Sequence, residues 1–435
     1  MADSSPCRRA PRRRASTWST RCTRAGDRMW LWPQQSPRLA RLGLRPPADD
    51  GARRWSVGWD ASPYSRTHGT AGPDESAKQV LLNESGGSDG PSDGSSPHTP
   101  FLLGAVPSPS PHPDAGTIGK RVEAWLTATG VLGGSPRTFL AQGHVDLIVR
   151  AWGDAPCGPG LAAAAKWLML TWILDDRFDD QWIGRPPAGA RQTVRALTDV
   201  LEAPRPTHGS ADGRACRKTE STGKTVRTGH TGPADPLVRV FAVLWDETAA
   251  LTTPAWRARY AAHFRSYLYA SLDYLEASTA GETVPTLPEY LFHRDRDGAV
   301  LCAAGWTELA HGLDISDEVY GHPQVVDVLM RFNHVVCWVN DLYSAQGESA
   351  AGNGKNLLRS LTVHEGLTPD SAAARVGALC EAELMTFEFL ADGIARGPSW
   401  PEEVRAFSRA LLRFAHALVH WTATARRYRT MEVRR

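Results

Sequence analysis

From about residue 118 onward, apolar residues recur at intervals of three and four, and strand-like alternation is nearly absent. That period gives each of a series of helices one apolar stripe and leaves almost nothing from which to build a sheet. Candidate helices run roughly over 118–129, 136–152, 160–181, 188–202, 235–251, 254–278, 287–311, 322–348, 369–396 and 400–431. Gly and Pro punctuate the joints, as in GDAPCGPG (153–160) and RGPSWP (396–401). The pattern predicts a single all-α domain over about 101–435.

Two regions lack the period. Residues 7–28 are rich in Arg, Ser and Thr, and residues 84–116 are mostly Gly, Ser, Pro and Asp. Neither can bury enough apolar surface to offset the entropy of ordering, so 1–100 is expected to be a disordered extension. Its basic start has the composition of a transit peptide, but a plain solvated extension is the simpler reading. Residues 203–234, polar, basic and Gly-rich, are expected to form a disordered surface insertion within the domain.

Composition excludes several function classes. No apolar run reaches the roughly 18–20 residues of a membrane helix, and no secretory signal is visible, so no stable membrane insertion is expected. The seven cysteines are odd in number, widely scattered and without a CxxC pair, which fits reduced thiols in the cytoplasm better than a zinc site. The net charge is +2, and no basic surface interleaved with aromatics argues for nucleic acid.

Two polar clusters stand out against the apolar helices. The first is LDDRFDD (174–180), directly after the apolar run LAAAAKWLMLTWIL. On a helix, Asp175, Asp176 and Asp179 share a face near the C-terminal end, where like charges repel and the helix dipole disfavours anions. Such a cluster calls for compensation from outside, and divalent cations are the natural candidate. An acidic helix end in water is the bland alternative, weakened here because the preceding run aims the cluster at an interior mouth. The second cluster is VNDLYSAQGE (339–348), in which Asn340, Ser344 and Glu348 stack an amide, a hydroxyl and a carboxylate at i, i+4 and i+8. Mixed hard-oxygen donors on one face suit Mg²⁺.

Together these clusters resemble bacterial-type class I terpene synthases, which carry an aspartate-rich motif and a downstream N-D-x-x-S-x-x-x-E triad on facing helices. Other positions agree with the resemblance. An Arg is expected some 46 residues before the triad Asn, and Arg294 stands there, followed by Asp297 and Gly298. A C-terminal Arg-Tyr pair is expected, and TARRYR supplies Arg427 and Tyr428, with Trp421 six residues earlier. The resemblance spans about 101–435.

The resemblance implies a helical bundle around a central apolar cavity and Mg²⁺-dependent ionisation and cyclisation of a prenyl diphosphate. Three Mg²⁺ ions would be held by Asp175, Asp179, Asn340, Ser344 and Glu348. Arg294, Arg427 and Tyr428 would donate to the diphosphate, and Asp176 would latch Arg427. Asp297 would couple Arg294 to Gly298, at a helix break. Trp172 and Trp421 are the favoured aromatic wall, with Phe139, Trp306 and Trp338 weaker candidates. The glycine-containing loop after Glu348 is expected to close over the site. Farnesyl diphosphate is the substrate favoured among similar proteins, with geranyl and geranylgeranyl diphosphate left open, as is a homodimer.

One position departs from the family. The residue before the triad Glu is usually basic but here is Gly347, and Lys355 is the candidate to compensate. A trans-prenyltransferase would need a second DDxxD, which NDLYSAQGE does not provide. A non-catalytic prenyl-diphosphate-binding homologue is the alternative from another functional class.

Overall fold

The computed structural model describes residues 106–203, 235–281, 284–350 and 352–429. The expected disordered extension, 1–100, lies outside the described residues, as does all of the insertion except Ala203. The described residues form α-helices and one π-helical turn, with no strand among them. In chain order the helices are α1 (Ala115–Thr129), α2 (Pro136–Leu140), α3 (His144–Ala151), α4 (Pro159–Asp176), α5 (Ala188–Glu202), α6 (Pro236–Ala249), α7 (Pro254–Thr279) and α8 (Leu287–Asp297). They continue with α9 (Val300–His311), α10 (Asp317–Tyr320), α11 (Pro323–Ala350), α12 (Leu357–His364), α13 (Pro369–Arg396), α14 (Glu402–Thr424) and α15 (Arg426–Arg429).

The helix starts follow local chemistry. Proline occupies the first turn of α4, α6, α7 and α13, where its missing N–H costs nothing. Side chains of Asp235, Thr253 and Thr368 accept backbone N–H groups of α6, α7 and α13. Thr286 and Glu289 close a capping box on α8.

Three expected helices are broken in the structure, the 400–431 segment dividing into α14 and α15 at Ala425, whose ψ of 145° is extended. The 136–152 segment divides into α2 and α3 at Gly143, whose φ of 105° only glycine adopts readily. The 287–311 segment divides at Gly298 and Ala299. Ala299 has φ 54°, the one non-glycine positive φ among the described residues, and turns the chain sharply between α8 and α9. A further difference lies at the end of α4, where Arg177–Trp182 widens into the π-helical turn that carries Asp179.

Helix α4 is apolar around nearly its whole circumference, as a helix packed on several sides must be. It packs on α9, while α11 packs on α13 and α14, and α14 on α3. Trp152, Trp167, Trp245, Trp256, Trp306 and Trp421 are fully buried between these layers. No described helix is long and apolar enough to cross a membrane.

Candidate active site

Helices α3, α4, α9, α11 and α14 enclose a cavity with an empty volume of about 690 Å³, its open mouth included. Leu147, Leu168, Trp172, Val300, Trp306, Val336, Phe414 and Leu418 form apolar wall. Polar groups gather at the mouth, where Asp175, Arg294, Asn340 and Tyr428 line the same space. The end of α4 and the C-terminal part of α11 thus bring the two polar clusters to one opening.

The electrostatics fit two acidic groups in close confrontation. Asp175 is pushed up to about 8, by burial first and then by Asp179. Burial also raises Asp179, against the pull of Lys355 and Arg294. Glu348 is pushed up to about 7 by burial, then by Asp341 and by Asp179 across the mouth. At all three carboxyls the cations nearby fall short of offsetting burial.

The remaining positions expected from the sequence form a connected network. Arg294 donates to Asn340 Oδ1 at 2.8 Å, to Asp341 Oδ1 at 2.7 Å and to Asp297 Oδ1 at 3.3 Å. Asn340 Nδ2 donates to the Tyr428 hydroxyl at 2.7 Å, and Ser344 Oγ to the Asn340 carbonyl at 2.8 Å. Arg427 donates to Asp176 Oδ1 at 2.7 Å and lies over the Trp172 ring, 4.5 Å from its centroid. Asp297 is fully buried; burial alone would raise its carboxyl, but Lys355 and Arg294 outweigh that and hold it below the usual range. Its Oδ2 lies 3.0 Å from Lys355 Nζ. Lys355, the candidate to compensate for Gly347, is therefore turned toward the Arg294–Asp297 pair.

The aromatic candidates separate. Trp172 and Trp306 line the cavity. Trp421 packs behind Trp172 at 5.6 Å between ring centroids and donates its N–H to the Gly143 carbonyl. Phe139 stacks on His144, and Trp338 on His334; neither lines the cavity.

Sequence reasoning passed over four contributors. Asn353 Nδ2 donates to Asp179 Oδ1 at 3.1 Å, and Asn356 Nδ2 to Glu348 Oε2 at 3.0 Å. Tyr274 Oη accepts the Gly354 N–H at 2.9 Å, and Asp341 accepts from Arg294. Asp341 stands within VNDLYSAQGE, and the asparagines stand in the loop after Glu348, SAAGNGKN (349–356). Tyr274 gave no signal, being one of several aromatics in α7.

Divalent metal fits this donor set. Among the described residues no three His, Cys, Asp or Glu side chains converge into an all-protein cage. Mg²⁺ instead suits sparse carboxylates completed by waters and substrate phosphates, and burial disfavours the ionised forms of Asp175, Asp179 and Glu348, which a bound cation would stabilise.

Comparison with known proteins agrees with this geometry. Residues 166–386, just over half of the chain, match the family described as terpene synthase family 2, C-terminal metal binding. The chain belongs to this family of class I terpene synthases, and the matched domain is a metal-binding one. It is 28% identical over 269 residues to the pristinol synthase of Streptomyces pristinaespiralis, covering 61% of this chain and 66% of that protein. It is 30% identical over 191 residues to the alpha-muurolene synthase of Coprinopsis cinerea, covering 42% and 43%. The chain thus spans less than two thirds of these relatives' length. Among solved structures, wild-type cucumene synthase superposes with a TM-score of 0.58 at 22% identity, over 74% of this chain and 99% of that one. The linalool/nerolidol synthase of Streptomyces clavuligerus gives 0.59 at 22%, over 73% and 99%. At these identities the structures carry the likeness of fold.

Proposed function

We propose that this protein ionises and cyclises farnesyl diphosphate in the presence of Mg²⁺, releasing diphosphate and a sesquiterpene. The observation that carries the reading is that Asp175 and Asn340, one from each polar cluster, line the mouth of one apolar cavity, with Asp179 close enough to Glu348 to disfavour its ionisation. Sesquiterpene synthases among the relatives support the substrate length.

Asp175 and Asp179 on one side, and Asn340, Ser344 and Glu348 on the other, would hold three Mg²⁺ ions, which supply Lewis-acid stabilisation of the leaving diphosphate. Around that group the chain's own donors converge. Arg294 and Arg427 offer guanidinium forks matched to phosphate oxygens, and Tyr428 offers a hydroxyl. Asp176 orients Arg427, and Asp297 holds Arg294 and Lys355 together. Charge that develops on the departing oxygen meets donors already fixed in a water-poor mouth. The Trp172 and Trp306 faces attract the allylic cation, each by about 0.5–2 kcal/mol, and the apolar wall keeps water from it. The Gly298–Ala299 break, next to Arg294 and lining the cavity, turns backbone toward the reacting end.

The four described cysteines are free, three of them buried, and a reducing cytoplasm is the compartment we propose. The deciding experiment incubates purified protein and Mg²⁺ with C10, C15 and C20 diphosphates and analyses volatiles and released pyrophosphate. A cyclic C15 product, absent with EDTA, is expected. Cyclic product from the C20 or C10 substrate alone would reassign the chain length, and no release from any of them would leave a binding protein.

A further inference from the structure

One fully buried carboxylate has no part in the mechanism above. Asp341 neighbours Asn340 on α11, yet it is 0% exposed. Its Oδ1 accepts Arg294 Nη2 at 2.7 Å. Its Oδ2 accepts the Tyr290 hydroxyl at 2.6 Å and the Leu357 backbone N–H at 2.8 Å. Its backbone carbonyl accepts Asn356 Nδ2 at 2.9 Å, and the same Nδ2 donates to Glu348. Leu357 opens α12, where first-turn amides lack intrahelical acceptors and an anion is favoured. A single side chain therefore joins three elements: α8 through Tyr290 and Arg294, α11 on which it stands, and the start of α12. The residues leading into α12 carry Asn353 to Asp179 and Lys355 to Asp297.

The donor count makes the carboxylate specific. Three donors converge on two oxygens with no solvent to replace either. An Asn of the same shape offers one oxygen and brings two N–H groups of its own, so at least one contact becomes donor against donor. Charge-assisted bonds of this kind are short and directional, and all three distances lie in that range.

We propose that Asp341 is a positioning residue that ties the Arg294 guanidinium to the 353–357 segment. The group that meets the diphosphate and the segment that touches Asp179, Asp297 and Glu348 then keep one register. This inference rests on the prenyl-diphosphate reading of the site.

The test compares Asp341→Asn and Tyr290→Phe with wild type in the full-length protein, by amide hydrogen exchange and by product analysis with Mg²⁺ and the C15 substrate. In Asp341→Asn, exchange at the Leu357 amide should accelerate by about tenfold or more while amides of α7 keep their rates. Turnover should fall by about a hundredfold, and the acyclic share of the remaining product should rise by about threefold. That share is independent of how much protein is folded, so mere destabilisation leaves it unmoved. Tyr290→Phe removes one of the three donors and should shift both readouts the same way by about twofold. It decides the matter if Asp341→Asn does not fold. Wild-type exchange at Leu357, or wild-type product shares, in the folded variant would overturn the proposal. Should the wild type release no pyrophosphate from any prenyl diphosphate, the functional reading fails by itself, and Leu357 exchange still decides whether Asp341 ties the elements together.

Discussion

A methyl group added to Gly298 would collide with Cys337 Sγ and press on Val300 Cγ2 at 3.3 Å. Glycine is required here by close approach rather than by its φ, which is an ordinary −76°. Gly298→Ala should therefore cost about 1–3 kcal/mol in overpacking and, by moving the break beside Arg294, about a hundredfold or more in turnover. Removing the sulfur relieves the collision, so Gly298→Ala/Cys337→Ala should recover at least about tenfold of that loss; a double variant no better than the single one would contradict this. Protonation acts on the same scale. Asp175 and Glu348 titrate at about 8 and about 7, above the ordinary carboxyl range, so the folded protein binds these protons more tightly than the unfolded chain. Their contribution to stability is complete below pH about 4 and is lost as pH rises through 7 and 8. Mg²⁺ needs the ionised forms. The rise in Tm produced by MgCl2 with inorganic pyrophosphate should therefore grow between pH about 6 and about 8 and level off above. Melting curves across that range check the sign; a magnesium effect that shrinks with rising pH would contradict it.

At the scale of elements, α15 shows how a short segment depends on tertiary contacts. Its four residues are too few for an isolated helix. They are held by Arg427 on Asp176 and Gln142, and by Tyr428 under Asn340. A chain ending at Thr424 should keep its helical circular dichroism yet lose turnover by about a thousandfold, measured with the C15 substrate; near-normal product would remove α15 from the site. Elements of this kind explain what the sequence did and did not disclose. Long amphipathic helices such as α11 and α13 were legible because their three-and-four period is set by burial on one face. The break at Ala299 was not read from periodicity, since the polar stretch HRDRDG (293–298) also suits an exposed length of one continuous helix and a lone alanine carries no signal for a left-handed φ. The resemblance did point to Gly298. In the same way Asp175, Asn340 and Glu348 stood out by spacing, whereas the inward turn of Lys355 toward Asp297 is a tertiary fact that no local pattern encodes.

The whole molecule sets substrate length through the depth of the cavity. Asp175, Arg294, Asn340 and Tyr428 lie at one end, and α4 and α9, packed side by side, descend from that end as adjoining parts of the wall. From Asp175 back to Leu168 is seven residues, about 10 Å of helix, and from Gly298 to Trp306 eight residues, about 12 Å. Ala303, five residues past Gly298, lies at mid-depth and is the small side chain between Val300 and Trp306 in that wall. Enlarging it should close the lower half and leave the mouth, with Asp175, Arg294 and Asn340, unaltered. Ala303→Phe is thus expected to spare the shorter substrate, lowering the C15-to-C10 ratio of kcat/KM by about tenfold or more, the discrimination a few methylenes earn in an apolar pocket. Ala303→Gly should move the ratio the other way. If both variants keep the wild-type ratio, the chain of the substrate does not run down the wall that α4 and α9 form, and the cavity floor must be sought along α14, at Phe414 and Leu418.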